Sequence, residues 1–578
     1  MKRPNFLIIL VDEQRYPPIY ENEQIRTWIK TKFRSEDFLK QHGLEFYNHY
    51  VGSTACSPSR GTLYTGQYPS LHGVSQTPGV AKGDFDPDMF WLDPNTVPTI
   101  GDYLRANGYN TYWRGKWHVS QPDIIIPNTH DSLLSYNDLT GISNIKNTNI
   151  YKNANRLDKY GFNGWIGPEP FGTNSRNTGS SSSGDISGRD TVYAKEVSDL
   201  INELNNKHQE YPWAIVASFV NPHDIAFYGE VSRLLPQFDF KIDPFTPYIP
   251  PAPTAKENLN TKPRAQKSYK EVFQKSFQPT LDTEEYRKLY YSLQLQVDKD
   301  IEKVLDSVVK SKFYENTIII FTSDHGELLG AHGLFQKWYN AYEETIHVPF
   351  IIHNPRLFPK RRCTELLTSH IDILPTILGL ANINEEKTLE ILKKDHIEVQ
   401  PLVGRDLTPL IFGKCKQMQQ EPIYFMTDDN VTKGLNQVTL FGDSYTSVIS
   451  PNNIEAVIAY LDTGKNGTKE KWKLSKYYDN QQFWTSPGVS DKNLIKTANE
   501  DFNSVSYFSI KREPDEAEYE MYNITRDPLE MFNLANNSQQ NAKLTNIKEY
   551  LIILLYEQCK IKRLHPSSGR IKGKSEYQ

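Results

Sequence analysis

Carboxylate and imidazole side chains follow three apolar runs of the sequence, which cover residues 6–11, 213–219 and 317–321. The side chains that come after these runs are Asp12 with Glu13, then His223, then Asp324 with His325. Continuous apolar runs are typical of buried parallel strands, and ligands bind beyond the carboxyl ends of such strands. Carboxylates suit a hard cation such as Ca²⁺ or Mg²⁺, whereas His325 would also suit zinc, although no zinc-type spacing accompanies it. The sequence therefore predicts a metal site at one edge of a sheet.

A cysteine lies at the start of a predicted helix, in the string C-S-P-S-R at residues 56–60. Pro58 suits the first turn of a helix, which places Cys56 near the positive end of the helix dipole. A nucleophilic thiolate is one interpretation of this cysteine, and a buried structural cysteine is another. The spacing from Cys56 to Arg60 is too short for the C-x₅-R loop of cysteine phosphatases, so that mechanism does not fit.

The elements that must position these side chains alternate along the chain. A fourth apolar run covers residues 348–352, and apolar side chains at spacings of three and four predict helices at 97–104 and 289–308. Strands that alternate with helices predict an α/β fold, with a large sheet between two layers of helices.

We expect two domains, a catalytic α/β domain at 1–415 and a smaller C-terminal α+β subdomain at 416–578. The second carries short alternating runs and a final helix at 540–560. Two stretches are predicted to be insertions: a Ser- and Gly-rich loop at about 172–190, and an irregular, proline-rich stretch at about 226–282.

Composition limits the classes of partner. The 578 residues carry 65 Lys and Arg against 70 Asp and Glu, a net charge of −5, so we expect no nucleic-acid partner. Four cysteines are too few for a disulfide framework, and no apolar run approaches the ~18–20 residues that span a membrane. The apolar run at 5–11 has no small-residue cleavage site and indicates a buried strand rather than a signal peptide. We therefore expect a cytoplasmic protein with no membrane partner.

Taken together, these strings resemble the formylglycine-dependent (type I) sulfatases of the alkaline phosphatase superfamily. The string C-x-P-x-R at 56–60, followed by Thr65-Gly66, is similar to the first signature of that family. Further similar segments are G-K-W-H at 115–118, N-P-H at 221–223, T-S-D-H-G-E at 322–327, and strings at 372–376, 404–410 and 522–534. The resemblance spans nearly the whole chain except the two insertions and much of 430–515. It implies an alkaline-phosphatase-like fold, in which the large sheet is mixed.

The resemblance implies that a formylglycine-generating or sulfatase-maturating enzyme oxidises Cys56 to formylglycine (3-oxoalanine). It also implies a metal site formed by Asp12, Glu13, Cys56, Asp324 and His325. We expect Ca²⁺ there, with Mg²⁺ or Mn²⁺ as alternatives. Many members of the family carry two adjacent aspartates where this chain has Asp12-Glu13, so the assignment of Glu13 as a ligand stays open.

The resemblance further implies catalytic roles for Arg60, Lys116, His118, His223 and Lys337. Arg60 and Lys116 would orient the hydrated aldehyde. His223 and Lys337 would bind the transferred group, and one of them would protonate the departing alcohol. His118 would take the proton that lets sulfate leave. The implied substrate is a sulfate monoester of a small molecule or a carbohydrate.

Two other functions stay open from the sequence. One is a phosphonate monoester or phosphodiester hydrolase on the same scaffold. The other is a protein that binds sulfated ligands without catalysis, which is disfavoured because every expected polar position is filled.

Overall fold

A computed structural model describes residues 3–137, 141–170, 188–235, 238, 240–484, 492–495, 507–510, 513–536 and 541–567. Its strands are β1 Asn5–Asp12, β2 Gly43–Tyr50, β3 Asn110–Gly115, β4 Trp213–Pro222, β5 Thr317–Ser323, β6 Phe350–His353, β7 Arg362–Ser369, β8 Ile423–Thr427, β9 Asn453–Leu461, β10 Glu470–Tyr478, β11 Lys492–Ile495, β12 Tyr507–Ile510 and β13 Glu518–Asn523. Its α-helices are Glu23–Lys32, Arg34–Gln41, Cys56–Thr65, Pro69–His72, Ile100–Arg105, Ile145–Ala154, Arg189–Asn206, Arg264–Ser276, Glu284–Val309, Glu343–Ile346, Ile373–Leu380, Glu385–Leu392, Thr408–Ile411 and Ala542–Lys562.

The larger sheet has seven strands in the order β3-β4-β1-β5-β6-β2-β7. Strand β1 pairs in parallel with β4 and β5 on its two sides. Strand β6 is antiparallel to both β5 and β2, so the prediction of a parallel strand at 348–352 is wrong. An apolar run shows that a strand is covered on both faces, and it does not show the direction of the strand.

Strand β1 is buried along its whole length because both faces of the sheet are covered. Its even-numbered residues 6, 8 and 10 pack in one hydrophobic cluster with the helices Ile100–Arg105 and Ile373–Leu380. Its odd-numbered residues 7, 9 and 11 pack in another with the helices Arg189–Asn206 and Glu284–Val309. The predicted α/β fold, a large mixed sheet between helices, is confirmed.

A second sheet has four antiparallel strands in the order β13-β10-β9-β8. The helix Ala542–Lys562 packs on it through Ile547, Leu551 and Leu555. The other face of this sheet packs in a hydrophobic cluster that also contains Tyr50, at the end of β2, and Tyr342, which precedes the helix Glu343–Ile346. The domain boundary at residue 415 stays a prediction.

The two stretches predicted to be insertions are described only in part, and one of them contains a regular helix. Of the stretch at 172–190, residues 172–187 lie outside the described residues, and Arg189 and Asp190 begin the helix Arg189–Asn206. The stretch at 226–282 is not irregular throughout, because it contains the helix Arg264–Ser276. Tyr269, Val272 and Phe273 are buried at helical spacing there, a pattern that the surrounding prolines outweighed in the prediction.

Candidate active site

The strand order β4-β1-β5 brings the predicted polar residues together at one edge of the larger sheet. Two groups of side chains there have ligand atoms that all lie within 4.8 Å of one another: Asp12, Cys56, Asp324 and His325, and Asp12, Glu13 and His223. Every member is buried except His223, which is partly exposed. Three apolar strands thus deliver the groups that the sequence pattern predicted.

One ring nitrogen of His325 is hydrogen-bonded to the backbone, and the other faces the cluster. Its Nδ1 lies 2.9 Å from the carbonyl oxygen of Gly326, an acceptor, so Nδ1 carries the proton. Its Nε2 lies 3.1 Å from Cys56 Sγ and 3.6 Å from Asp12 Oδ1. Burial, with help from the charge of Lys337, holds the pKa of His325 well below its usual value. A neutral imidazole whose Nε2 faces two carboxylates fits a divalent cation.

Arg60 links the two aspartates of this cluster. The helix Cys56–Thr65 places Arg60 one turn after Cys56, where Nε donates to Asp324 Oδ2 at 2.7 Å and Nη2 donates to Asp12 Oδ2 at 3.0 Å. Burial opposes ionisation of Asp12, but Lys116 and Arg60 hold its pKa well below the usual range. Burial and the charge of Asp12 raise the pKa of Asp324. Two carboxylates this close repel each other when both are ionised, and a bound cation would relieve that repulsion.

Lys116 and Lys337 form ion pairs with the last residue of β1 and with the residue that follows it. Lys116 Nζ lies 2.6 Å from Asp12 Oδ2, and Lys337 Nζ lies 2.7 Å from Glu13 Oε2. Lys337 also lies over the ring of Trp338, 5.0 Å from its centroid. Burial raises the pKa of Glu13 even with Lys337 beside it. Glu13 therefore faces Lys337 as well as the second group of ligand atoms.

His118 and His223 are buried to different degrees, and both are favoured in the neutral form. Burial, together with the charge of Lys116, holds the pKa of each well below its usual value. His118 has a φ of 66°, a left-handed backbone that is uncommon for a residue other than glycine. The ring of His223 meets that of Phe227 edge to face at 5.6 Å.

Two buried carboxylates that the sequence did not reveal accept hydrogen bonds from the backbone next to these histidines. Glu169 Oε1 accepts hydrogen bonds from the backbone N–H groups of Trp117 and His118 at 2.9 and 2.8 Å. Asp190 accepts from the N–H groups of Val220 and Asn221 at 2.6 and 2.9 Å. Neither lies in a recognisable motif, and their positions depend on contacts distant in sequence.

A family model described as Sulfatase matches residues 4–383 of the chain. The chain belongs to the sulfatase family. The uncharacterized sulfatase YidJ of Escherichia coli (strain K12) is 27% identical over 407 residues, which cover 67% of this chain and 70% of that protein. The choline-sulfatase of Rhizobium meliloti (strain 1021) is 25% identical over 436 residues, 71% of this chain and 72% of that protein.

Solved structures show the same fold. BT4656 in complex with its substrate D-glucosamine-2-N,6-O-disulfate matches with a TM-score of 0.58 at 16% identity, over 98% of this chain and 100% of that chain. The phosphonate monoester hydrolase of Agrobacterium radiobacter matches with a TM-score of 0.56 at 19% identity, over 96% of each chain. The predictions of a sulfatase, and of a sulfate ester hydrolase, are confirmed.

The prediction of a cytoplasmic location is contradicted by relatives that are named as extracellular sulfatases. An extracellular sulfatase SULF-1 homolog of Drosophila melanogaster is 23% identical over 427 residues, 72% of this chain and 32% of that protein. The prediction relied on the apolar run that forms β1, and a core strand forms in either compartment. Within the described part of the chain, no helix is both long and apolar enough to cross a membrane.

Proposed function

We propose that this sulfatase cleaves sulfate monoesters with a formylglycine at position 56 as nucleophile and with Ca²⁺ bound beside it. The observation that carries the proposal is the position of Cys56, whose Sγ lies among the ligand atoms of Asp12, Asp324 and His325. Burial raises the pKa of the Cys56 thiol, which makes a thiolate unfavourable. The unmodified cysteine is therefore a poor nucleophile here, and an oxidised side chain suits the site better.

Asp12, Asp324 and His325 would hold the cation. Glu13 is a further candidate ligand, because its carboxylate lies near Asp12. A bound divalent cation would lower the pKa of a hydroxyl on residue 56 and polarise an ester oxygen. A donor set dominated by carboxylates favours Ca²⁺, Mg²⁺ or Mn²⁺ over zinc.

The positively charged side chains of the site would hold the reacting groups in place. The guanidinium of Arg60 forms ion pairs with Asp12 and Asp324, so it fixes the carboxylates that flank residue 56. Lys116 and Lys337 supply positive charge where the sulfuryl oxygens lie, and such preorganised charge is usually the largest electrostatic contribution to catalysis.

The proton transfers would be divided between His118 on one side and His223 or Lys337 on the other. His118 is neutral because burial lowers its pKa, so it can accept the proton whose removal lets sulfate leave. Either His223 or Lys337 would protonate the departing alcohol. Acidic groups beside Lys337 raise its pKa despite its burial, so it carries a proton, whereas the lowered pKa of His223 means that this histidine would first have to take one up.

Sulfated carbohydrates are the substrate class that the relatives support. BT4656 was solved with a disulfated glucosamine, and an ulvan-active sulfatase of Formosa agariphila is 26% identical over 428 residues. We propose a carbohydrate or small-molecule sulfate ester as substrate, and a formylglycine-generating or sulfatase-maturating enzyme as the partner that modifies Cys56.

A mass spectrum of the peptide that contains Cys56 tests the proposal. Conversion of CH₂SH to CHO makes this peptide lighter, and active protein should carry the lighter form. Paired assays with an aryl sulfate and an aryl phosphonate ester should show preference for the sulfate. An unmodified thiol in active protein would contradict the nucleophile, and a preference for the phosphonate would favour the hydrolase whose fold this chain shares.

A further inference from the structure

The smaller sheet ends against the segment that precedes the nucleophile. Strand β8 stops at Thr427, and the backbone N–H of Met426 donates to the carbonyl of Gly52 at 3.1 Å. The Thr427 hydroxyl donates to the carbonyl of Thr54. The residues that follow β8 therefore enter the region of Cys56.

Asp429 is the residue of this segment that contacts the surroundings of the nucleophile and of Lys337. Its Oδ2 accepts hydrogen bonds from the backbone N–H of Ala55 at 3.3 Å and from Trp338 Nε1 at 2.9 Å. Its Oδ1 accepts from the backbone N–H of Thr77 at 3.1 Å. The side chain is buried, so each of these bonds replaces a hydrogen bond to water.

The contact with Ala55 lies at the start of the nucleophile helix. Ala55 is the N-cap of the helix Cys56–Thr65, and no side chain of its own segment caps that end. A carboxylate at this place satisfies a backbone donor and adds negative charge near the positive end of the helix dipole. Asp429 thus fixes the residue directly before position 56.

The contact with Trp338 affects the preceding residue, Lys337. The indole N–H of Trp338 points to Asp429, which fixes the plane of the ring. The ammonium group of Lys337 lies over that ring, 5.0 Å from its centroid, while it donates to Glu13 at 2.7 Å. One carboxylate therefore contacts the neighbour of each of two groups that must meet the same sulfate ester.

We propose that Asp429 is a positioning residue that sets the distance and orientation between residue 56 and Lys337, so that the smaller sheet completes the active site. This inference rests on the proposed roles of Cys56 and Lys337. It assigns to the C-terminal part of the chain a contribution to the rate of reaction, beyond its contribution to the hydrophobic core.

The chain offers a matched control at the adjacent position. Asp428 is also an aspartate and is as deeply buried, 4% exposed against 3% for Asp429. Its Oδ1 accepts from the Tyr478 hydroxyl at 3.2 Å and from Asn480 Nδ2 at 3.1 Å, both in the C-terminal part of the chain. A change at Asp428 therefore reports the cost of altering a buried aspartate in this loop without contact to the active site.

The test compares Asp429→Asn with Asp428→Asn in the full chain, with an aryl sulfate as substrate and rates normalised to the formylglycine content of each preparation. We expect Asp429→Asn to lower kcat by about 10- to 100-fold with KM within about threefold, because a small misplacement of reacting groups costs this much. Asp428→Asn should keep kcat within about threefold of wild type. Equal kcat in the two variants would overturn the proposal.

Trp338→Phe tests the route from Asp429 to Lys337, and it serves also if Asp429→Asn does not fold. Phenylalanine keeps an aromatic face for Lys337 but removes the indole N–H. We expect kcat to fall about tenfold, and Asp429→Asn combined with Trp338→Phe to lose less than the product of the two losses, as residues in one network do. Wild-type kcat in Trp338→Phe would overturn this route. Failure of the proposed nucleophile would appear instead as an unmodified thiol in wild-type protein.

Discussion

Two clusters of charged side chains in this protein each pair carboxylates with cations, but they differ in what surrounds them. The active-site cluster is Asp12, Arg60, Lys116 and Asp324. The interface cluster, where the smaller sheet meets the helix Glu343–Ile346, is Glu343, Lys471, Lys473 and Glu530. In each, two carboxylates face two cations; all four active-site side chains are buried, as are Lys473 and Glu530, whereas Glu343 and Lys471 are partly exposed. Burial of paired charge therefore does not by itself mark a catalytic site.

The difference lies in the groups that each cluster leaves available. Among the described residues, both groups of side chains that could hold a metal contain Asp12, and neither contains a member of the interface cluster. In the interface cluster, Lys473 Nζ donates to the carbonyl of Ala341 at 2.8 Å and lies 2.8 Å from Glu343 and 3.0 Å from Glu530, so its charge is compensated within the cluster. We infer that the first cluster supports the reaction and the second supports stability.

Loss of the proposed nucleophile should lower kcat more than any other change and should affect stability little. We expect Cys56→Ala to lower kcat by at least about 10⁴-fold, as removal of a covalent nucleophile does in other hydrolases. The free energy of unfolding should change by only about 1 kcal/mol, because one small buried atom is removed. The measurements are turnover of an aryl sulfate and urea unfolding. Cys363→Ala, at an exposed cysteine, is the control and should behave as wild type. Substantial activity in Cys56→Ala would rule out the proposed nucleophile.

The two clusters should differ next in metal binding. We expect Asp324→Asn to lose the bound cation and to lower kcat by about 10³-fold, because a ligand and the partner of Arg60 are weakened together. Glu530→Gln, which changes a carboxylate of the interface cluster in the same way, should keep the cation and kcat. Metal analysis of the purified proteins, and Ca²⁺ addition after chelation, measure the difference. Equal metal content in Asp324→Asn and wild type would contradict the assigned site.

The clusters also differ in how far the sequence predicted them. Asp12 and Asp324 directly follow apolar strands, so the strand pattern together with the family signature placed them correctly. Residue pairs such as Lys473–Glu343 and Asp429–Ala55 are 130 and 374 positions apart, and no local pattern marks either member. The direction of β6 and the helix within 226–282 were missed for a related reason, since both depend on tertiary packing. The sequence thus predicts the residues at strand ends better than the residues that hold them.

Within the active-site region, His118 should affect one half of the reaction. We expect His118→Ala to lower steady-state turnover by about 10²- to 10⁴-fold, the range for loss of a general base. Rapid mixing with a chromogenic sulfate ester should still release about one equivalent of alcohol per enzyme before slow turnover. His223→Ala should instead slow that first release, most for poor leaving groups. A burst preserved in His223→Ala and absent in His118→Ala would reverse the two roles.

The pH dependence of kcat should report the same histidine. Burial lowers the pKa of His118, so the neutral base persists below its ordinary value of about 6.5. We therefore expect kcat to stay constant as the pH falls to about 6.5 and to decline only at lower pH. A pH profile of kcat for wild-type protein measures this limb. A decline that begins above pH 7 would show that His118 is more readily protonated than its burial indicates.

The smallest effect on kcat, and the clearest separation of the two clusters, should come from Lys473→Met. Methionine keeps an unbranched side chain of similar length but removes the charge that faces Glu343 and Glu530. Loss of one member of a buried ion pair leaves the other uncompensated, so we expect the free energy of unfolding to fall by roughly 3–5 kcal/mol. Below the unfolding temperature, kcat per folded molecule should stay within about twofold of wild type, because the residues that Lys473 contacts are not among those proposed to hold the metal. Thermal unfolding and kcat measured on the same preparation test both halves, and a fall in kcat without a fall in stability would place the interface cluster in the reaction after all.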